Sequence, residues 1–280
     1  MARGRYTNDR LDHRERYMAS YPAHDISARP DLGARVEFEI RPGVVFPDWQ
    51  AIRSEAAETA LLMIFRVMGI ERRWNHYRPG LDRVRTAILQ SFAETARAPT
   101  LPRLATVTGM TQKEVLPILD ELKDRDLVVF DDSDHRITGA YPFTEHDTGH
   151  NVYHGRRVLR AMCAVDALGI GAMLGNDVTI ESRCRTCGAP VHAETGDRGT
   201  TLKSWSPKDA VVWVGDHYDG GCGATSLCTT IAFFCGDAHL RSWRESSESG
   251  APGHRLSAEE AHQVGCAVFG PMLRRIGVEA

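Results

Sequence analysis

The feature that most constrains the fold of this chain is the apolar run from Ala161 to Leu174, which contains one thiol, Cys163, and one carboxylate, Asp166. If the run is a helix, these two residues lie on one face, since residues three apart are neighbours there. No other charge lies in the run, so we expect the carboxylate to be at least partly buried, which raises the pKa of an unpaired carboxyl group. A thiolate ligand beside a group that holds and releases a proton is a reactive unit. A small core cysteine with no chemical role is the alternative.

The size and charge of the chain limit the classes of protein to which it can belong. It has 280 residues, of which 42% are hydrophobic, which is enough for a sizeable core in one or two domains. The net charge of −3 gives no general attraction to nucleic acid or to acidic membranes. No apolar run reaches the length of a membrane span, and the charged N-terminus lacks the apolar core of a secretory signal. We therefore expect a cytoplasmic protein with no membrane or nucleic-acid partner.

The cysteines are confined to the second part of the chain, and their number is odd, which argues against a disulfide framework in a cytosolic protein. They are Cys163, Cys184, Cys187, Cys222, Cys228, Cys235 and Cys266. Cys184 and Cys187 form a C-x-x-C motif, which is half of a tetrahedral zinc knuckle. The chain has no second C-x-x-C motif, and Cys222 with Cys228 is only a loose candidate for the other half. A thioredoxin-like redox pair is disfavoured because Gly188 and Pro190 follow at once, where that motif should open a helix.

The apolar patterns predict an α+β chain in three parts. Residues 1–78 form an N-terminal extension, partly flexible, with a short strand at Val36–Ile40 and one amphipathic helix at about residues 47–70. Residues 79–139 form a winged-helix-like helical module. Residues 140–280 form a core domain with a mixed β-sheet and flanking helices.

The winged-helix prediction for residues 79–139 depends on three apolar helical stripes followed by a hairpin pattern. The third helix starts at Thr111 and has a capping box with Glu114, while Pro117 lies inside it and implies a kink. Residues 127–130 and 136–138 are the expected hairpin strands.

Such modules often bind DNA, and a winged-helix transcription regulator is one alternative function. Here, however, the third helix is mixed to acidic, and the wing contains Asp131, Asp132 and Asp134. These acidic groups would repel phosphate. We therefore expect a structural module.

The core domain is expected to contain several short strands and a C-terminal helix. The strand candidates are residues 178–182, 191–193 and 211–214, together with the apolar, β-prone stretch Ser226–Cys235. The final helix begins at Ser257, which forms a capping box with Glu260.

Three segments between about residues 80 and 275 resemble the organomercurial (alkylmercury) lyase family. The segment AMCAVDALG resembles the family's Cys-x-x-Asp segment, and SRCRTCGAPV resembles its S-x-C-x-x-x-G-A-P-V segment, with Cys184 on the cysteine. The segment SLCTTIAFFCGDAHLRSW resembles the one that carries the second reactive cysteine. Aligning its Phe-Phe pair and Trp243 puts Cys228, not Cys235, on that cysteine.

The resemblance implies a lyase that cleaves the carbon–mercury bond by protonolysis, giving a hydrocarbon and Hg(II), for mercury detoxification. Cys163, Asp166 and Cys228 match the catalytic set; the two cysteines would bind mercury and the aspartate would move the proton. The resemblance implies no required cofactor. The substrate is a small organomercurial, and low-molecular-weight thiols or a mercuric reductase accept the Hg(II).

The chain also departs from the family pattern, which leaves a second function open. Cysteines are not expected at Cys187 and Cys235, and Thr229 follows the second reactive cysteine. Additional thiols are compatible with a non-catalytic, thiol-based heavy-metal-binding or sensor protein on the same fold.

Overall fold

The computed structural model describes residues 34–131, 136–246 and 252–274. Its helices, numbered within these ranges, are α1 (Glu55–Met68), α2 (Ile70–Trp74), α3 (Pro79–Thr95), α4 (Leu101–Thr108), α5 (Gln112–Asp124), α6 (Ala164–Leu174), α7 (Asp237–Ser246) and α8 (Ala258–Phe269). Its strands are β1 (Phe38–Arg41), β2 (Val44–Phe46), β3 (Val129–Phe130), β4 (Ile137–Ala140), β5 (Phe143–Thr144), β6 (Asn151–His154), β7 (Arg157–Arg160), β8 (Thr179–Arg183), β9 (Pro190–Gly196), β10 (Thr201–Ser206), β11 (Val211–Gly215), β12 (Ile231–Phe234) and β13 (Gly253–Ser257). The predicted α+β class is confirmed.

The described part of the predicted extension is folded. Strands β1 and β2 form an antiparallel hairpin, and Phe46 stacks on Phe65 of α1 with ring centroids 5.5 Å apart. The helix predicted at about residues 47–70 starts later than expected. Its N-cap is Ser54, whose side chain accepts a hydrogen bond from the N–H of Ala57, and Gly69 ends it in the left-handed conformation. Residues 1–33 of the predicted extension lie outside the described residues.

The helical region has its elements in the predicted order. Helices α3, α4 and α5 contact one another, and β3 pairs antiparallel with β4. The capping box of Thr111 and Glu114 is present, and α5 continues through Pro117. The described residues from 34 onwards belong to one compact unit, which spans the proposed boundaries near residues 78 and 139. The winged-helix identity and the three-part division stay predictions.

The sheets differ from the predicted mixed sheet, because every strand pairing in the described residues is antiparallel. One sheet has the order β10-β9-β8-β6-β7, and another has the order β12-β11-β13. Successive strands such as β8, β9 and β10 are joined by short connections, which allow only antiparallel pairing. The predicted strand at Ser226–Cys235 is divided into a 3-10 turn, Leu227–Thr230, and strand β12.

Helix α6 is buried on nearly all sides and packs closely on α8. Glycines make this approach possible. A Cβ atom added to Gly169 would lie 2.5 Å from Cδ2 of Phe269 and 2.6 Å from the carbonyl oxygen of Gly265. The two backbones are therefore in direct contact, which fixes the position of α6 and of the N-terminal residues that lie next to Cys228. The capping box predicted at Ser257 and Glu260 begins α8.

Candidate active site

Cys163 and Asp166 lie at the N-terminus of α6. Cys163 is the N-cap residue, with an extended backbone, so the helix begins at Ala164, three residues after the start of the apolar run at Ala161. Asp166 lies in the first helical turn, where the positive end of the helix dipole faces it. This geometry retains the predicted proximity of the two side chains, since the N-cap and the third helical residue are on the same side of the helix end.

Cys228 lies at the same place, although it comes from a later part of the chain. It lies in the 3-10 turn Leu227–Thr230, and its backbone N–H donates a hydrogen bond of 2.8 Å to the carbonyl oxygen of Gly223. Strand β12 follows this turn directly and pairs with β11. The sheet therefore fixes the position of the turn that carries the thiol.

The structure brings together the three residues that the sequence predicted. The sulfur atoms of Cys163 and Cys228 and a carboxylate oxygen of Asp166 all lie within 4.8 Å of one another. The Cys228 thiol points to Oδ2 of Asp166 at 3.8 Å. The exposed fractions of Cys163, Asp166 and Cys228 are 2%, 4% and 8%. The three groups therefore share one site that is almost closed to water.

Burial sets the protonation of this site. Desolvation raises the pKa of Asp166 to about 7, although hydrogen bonds with Cys163 and Cys228 oppose it. Burial also raises the pKa of Cys163. The hydrogen bond with Cys163, together with burial, raises the pKa of Cys228 well above its ordinary value. At neutral pH the metal-free site therefore holds protons on its thiols and, in a substantial fraction of molecules, on its carboxyl group.

A second buried carboxylate, Asp126, supports the loop before Cys228. Its Oδ2 atom accepts hydrogen bonds from the N–H of Gly223 at 2.9 Å and from the hydroxyl of Tyr218 at 3.1 Å. Its Oδ1 atom accepts one from the hydroxyl of Tyr141 at 3.2 Å. Sequence reasoning missed this residue, since a single Asp after a helix carries no signal of such a role.

The other cysteines are distributed unequally around the fold. Cys184 and Cys187 lie with Cys235 and with the imidazole of His239, and the four ligand atoms are within 4.8 Å of one another. The suggested pairing of Cys222 with Cys228 is wrong, because Cys228 faces Cys163 and Asp166. Within the described residues, Cys222 belongs to neither metal-compatible group.

Cys266 is apart from both groups. Its sulfur lies 3.4 Å from Nε2 of His262 and 3.7 Å from the carbonyl oxygen of Gly199. It is a buried residue of α8. Its contacts hold α8 against the β9–β10 connection.

Two buried thiols that converge on a proton-holding carboxyl group are a ligand set suited to a soft heavy-metal cation. Comparison with known proteins agrees with the sequence resemblance. Residues 143–270 match the family model described as alkylmercury lyase.

Curated relatives agree with this family. The alkylmercury lyases of Bacillus cereus and Clostridium butyricum are each 28% identical to this chain over 166 residues, which cover 59% of this chain and 72% of theirs. The alkylmercury lyase of Staphylococcus epidermidis is 27% identical over 180 residues, which cover 64% of this chain and 77% of that protein.

A solved structure shares the fold. The mercury-bound form of MerB2 superposes with a TM-score of 0.63 at 24% identity, over 77% of this chain and 100% of that chain. Among the helices of the described ranges, none has the combination of length and apolar character that crossing a membrane requires.

Proposed function

We propose that this chain is an organomercurial lyase that cleaves the carbon–mercury bond by protonolysis, releasing a hydrocarbon and leaving Hg(II) for detoxification. The observation that carries the proposal is the convergence of Cys163, Asp166 and Cys228 within 4.8 Å in a buried site of an alkylmercury lyase domain. Hg(II) is a soft cation, and soft thiolates are its preferred ligands.

In the first step, one of the two thiols binds the organomercurial. Its sulfur forms a bond to mercury as its proton leaves, either to the departing ligand of the substrate or to Asp166. The raised pKa of Asp166, about 7, makes this carboxyl group able to take and return a proton at neutral pH.

In the second step, the other thiol binds the same mercury atom, and its electrons weaken the bond between mercury and carbon. The proton that this thiol gives up passes through Asp166 to the carbon, which keeps the electron pair of the broken bond. The products are a hydrocarbon and Hg(II) bound to the thiolates of Cys163 and Cys228. No electron is gained or lost overall, so no redox cofactor is required.

Release of the metal requires an acceptor, because two thiolates bind Hg(II) strongly. Low-molecular-weight thiols or a mercuric reductase are the acceptors that fit this chemistry, since each supplies sulfur ligands by exchange. The cytoplasm is the compartment we propose, because a reducing environment keeps such thiols free.

One assay tests the proposal against a non-catalytic metal-binding or sensor role. The chain is incubated with phenylmercury and excess thiol, and benzene is measured by gas chromatography. A lyase releases benzene in multiple turnovers, whereas a sensor retains phenylmercury and releases none. Thiol alone and the heat-denatured chain are the controls. Failure of the folded chain to release benzene above these controls would reject the lyase.

We further propose that α3, α4, α5 and the β3–β4 hairpin form a winged-helix-like module with a structural role. Two successive hydrogen bonds support this role. The carboxylate of Asp126, two residues after α5, accepts a hydrogen bond from the N–H of Gly223, and the carbonyl oxygen of Gly223 accepts one from the N–H of Cys228. The module thereby steadies the turn that carries a reactive thiol. A gel shift at low salt should show no sub-micromolar binding to duplex DNA, and such binding would favour the regulator alternative.

A further inference from the structure

Four ligand atoms lie together near the C-terminal end of β12, whereas Cys228 precedes the N-terminal end of this strand. Cys184 comes directly after β8, and Cys187 lies further along the β8–β9 connection. Cys235 comes directly after β12, and His239 lies in the first turn of α7. Their sulfur and nitrogen atoms are all within 4.8 Å of one another. Cys184 is buried, Cys187 is exposed, and the other two are half-buried, so a solvent path leads to the group.

The distances within this group match those of a tetrahedral metal site. Zinc–sulfur bonds of about 2.3 Å at tetrahedral angles place two sulfurs about 3.8 Å apart, and a sulfur and an imidazole nitrogen about 3.5 Å apart. The sulfurs of Cys187 and Cys235 are 3.8 Å apart, and the sulfur of Cys184 is 3.4 Å from Nδ1 of His239.

A near-linear Hg(II) complex would require a different separation. Its two sulfurs lie on opposite sides of the metal, on the order of 4 to 5 Å apart, since its bonds are a little longer than those of zinc. The sulfurs of Cys187 and Cys235 are closer than this at 3.8 Å. Four converging ligands, including a nitrogen, also exceed what a two-coordinate cation uses.

The backbone around the group is shaped for a sulfur-bound metal. The N–H of Cys235 donates to the sulfur of Cys184 at 3.4 Å, and the N–H of Gly188 donates to the carbonyl oxygen of Cys184 at 2.9 Å. Gly188 has a φ of +71°, so the tight turn after the C-x-x-C motif favours glycine. Hydrogen bonds of this kind orient metal ligands and are part of a built site.

Side-chain and backbone contacts hold the two halves of the group together. The backbone N–H of Arg185 donates to the carbonyl oxygen of Phe233 at 2.9 Å, and its guanidinium donates to that of Thr229 at 3.0 Å. The hydroxyl of Thr186 donates to the carbonyl oxygen of His239 at 2.8 Å. The C-x-x-C loop is therefore tied to β12 and α7 independently of any metal.

From these observations we propose that Cys184, Cys187, Cys235 and His239 bind one Zn²⁺ ion as a closed structural site. All four positions are filled by the protein, which is the arrangement of structural rather than catalytic zinc. Each protonated thiol releases its proton to solvent when the metal binds, the imidazole binds in its neutral form, and no redox change occurs.

The proposed zinc site acts at a distance on the reactive site. It fastens the β8–β9 connection to the C-terminal end of β12, and the turn that contains Cys228 precedes the other end of this strand. Zinc should therefore stabilise the fold around Cys228 without contacting the substrate. This role does not depend on lyase activity, so it can be tested whether or not the proposed function holds.

The first experiment measures zinc bound to the full-length chain. The reduced protein is loaded with excess zinc sulfate, desalted and analysed by plasma mass spectrometry, and we expect about one zinc per chain. The exposed-ligand variant Cys187→Ser should retain less than about a fifth of that amount. The matched control Cys222→Ser, which alters a thiol outside both groups, should retain all of it.

A double variant distinguishes the two sulfur sites. Cys163→Ser combined with Cys228→Ser should keep the zinc, because these residues do not contribute to the four-ligand group. The assignment would be overturned by the reverse result, in which the double variant loses the zinc and Cys187→Ser keeps it. A wild-type chain that retains no zinc, or that retains only Hg(II) at this group, would also overturn it.

A second measurement needs no variant that might fold poorly. Co²⁺ added to the metal-free wild-type chain should give the intense visible bands and thiolate charge-transfer absorption of a tetrahedral sulfur-rich site, and excess Zn²⁺ should remove them. Weak, octahedral cobalt spectra would overturn the proposal. A Cys187–Cys235 disulfide in the purified chain, with no zinc binding after reduction, would also overturn it.

Removing the metal gives a stability readout. A chelator should lower the melting temperature of wild type by at least roughly 5 °C, since metal binding to a folded site adds directly to folding stability. The same chelator should leave the melting temperature of Cys187→Ser unchanged. Equal shifts in both proteins would show that the effect does not come from this site.

Discussion

Replacing Asp166 with Asn should separate mercury binding from cleavage. Asparagine keeps the size and much of the hydrogen-bonding capacity of the side chain, but it cannot deliver a proton. Positioned general acids and bases contribute about 10²- to 10⁴-fold to rates, so benzene release from phenylmercury should fall by at least roughly 10²-fold. Cys163 and Cys228 remain as ligands, and the variant should still retain mercury after desalting.

The same change should make the protein more stable at neutral and higher pH. The pKa of Asp166 rises from 3.8 to about 7 in the fold. The fold therefore favours the protonated over the ionised carboxyl group by on the order of 4 kcal/mol, compared with the unfolded chain. Because the folded pKa is raised, this contribution is fully present below about pH 4 and is lost as the pH rises through about 7. Asparagine does not ionise and loses nothing over this range.

The assay therefore combines rate and stability on one variant. Benzene release, retained mercury and urea unfolding are measured for wild type and Asp166→Asn, with unfolding at about pH 5 and pH 8. The stability difference should grow in favour of the variant by a few kcal/mol between these pH values. The control is Asp177→Asn. Asp177 is exposed, and its Oδ1 atom accepts a hydrogen bond from the N–H of Gly199, which the amide oxygen of asparagine can also accept.

Two outcomes would refute this reasoning. Benzene release close to that of wild type by a folded Asp166→Asn protein would remove the proposed proton-transfer role. A stability difference that does not change with pH would show that the Asp166 carboxyl group ionises in the fold as readily as in water.

The remaining predictions concern the ligands, the helix contact and the N-terminal residues. Cys163→Ser and Cys228→Ser should each weaken both mercury retention and benzene release, whereas Cys222→Ser should change neither; retention equal to wild type in both ligand variants would contradict the two-thiol site. Gly169→Ala should lower the free energy of unfolding by about 1–3 kcal/mol or more in urea, because its Cβ atom would lie 2.5 Å from the nearest atom of the facing helix. Removal of residues 1 to about 35, which carry no strong apolar pattern, should leave benzene release within a few-fold, and loss of all turnover by a folded truncation would contradict this.

Part of the active site could be predicted from local sequence. Cys163 and Asp166 are three residues apart in one apolar run, and both the proximity and the burial of the acid follow from that spacing. Cys228 is different, because only the family resemblance pointed to it. Its position depends on the pairing of β12 with β11, and pairing between distant segments leaves no periodic signal in either one.

Tertiary contacts also determine two features that the sequence alone did not predict: the partners of the C-x-x-C motif and the start of α1. The C-x-x-C motif at Cys184 was visible, but its partners Cys235 and His239 lie at a strand end and on a helix that no spacing rule connects to it. The start of α1 was misplaced for a related reason. Residues before Ser54 are held elsewhere, since the backbone N–H of Asp48 donates to the carbonyl oxygen of Ala267 in α8.

Strand β12 separates two sulfur sites with different chemistry, because Cys228 precedes it and Cys235 follows it. At one end lie two buried thiols and a carboxyl group, and two thiolates are the ligand number that a near-linear Hg(II) ion uses. At the other end, four ligands at tetrahedral distances saturate the metal they bind, so no position remains for a substrate. We therefore expect ligand number and geometry, rather than affinity for sulfur alone, to direct mercury to the first site and zinc to the second.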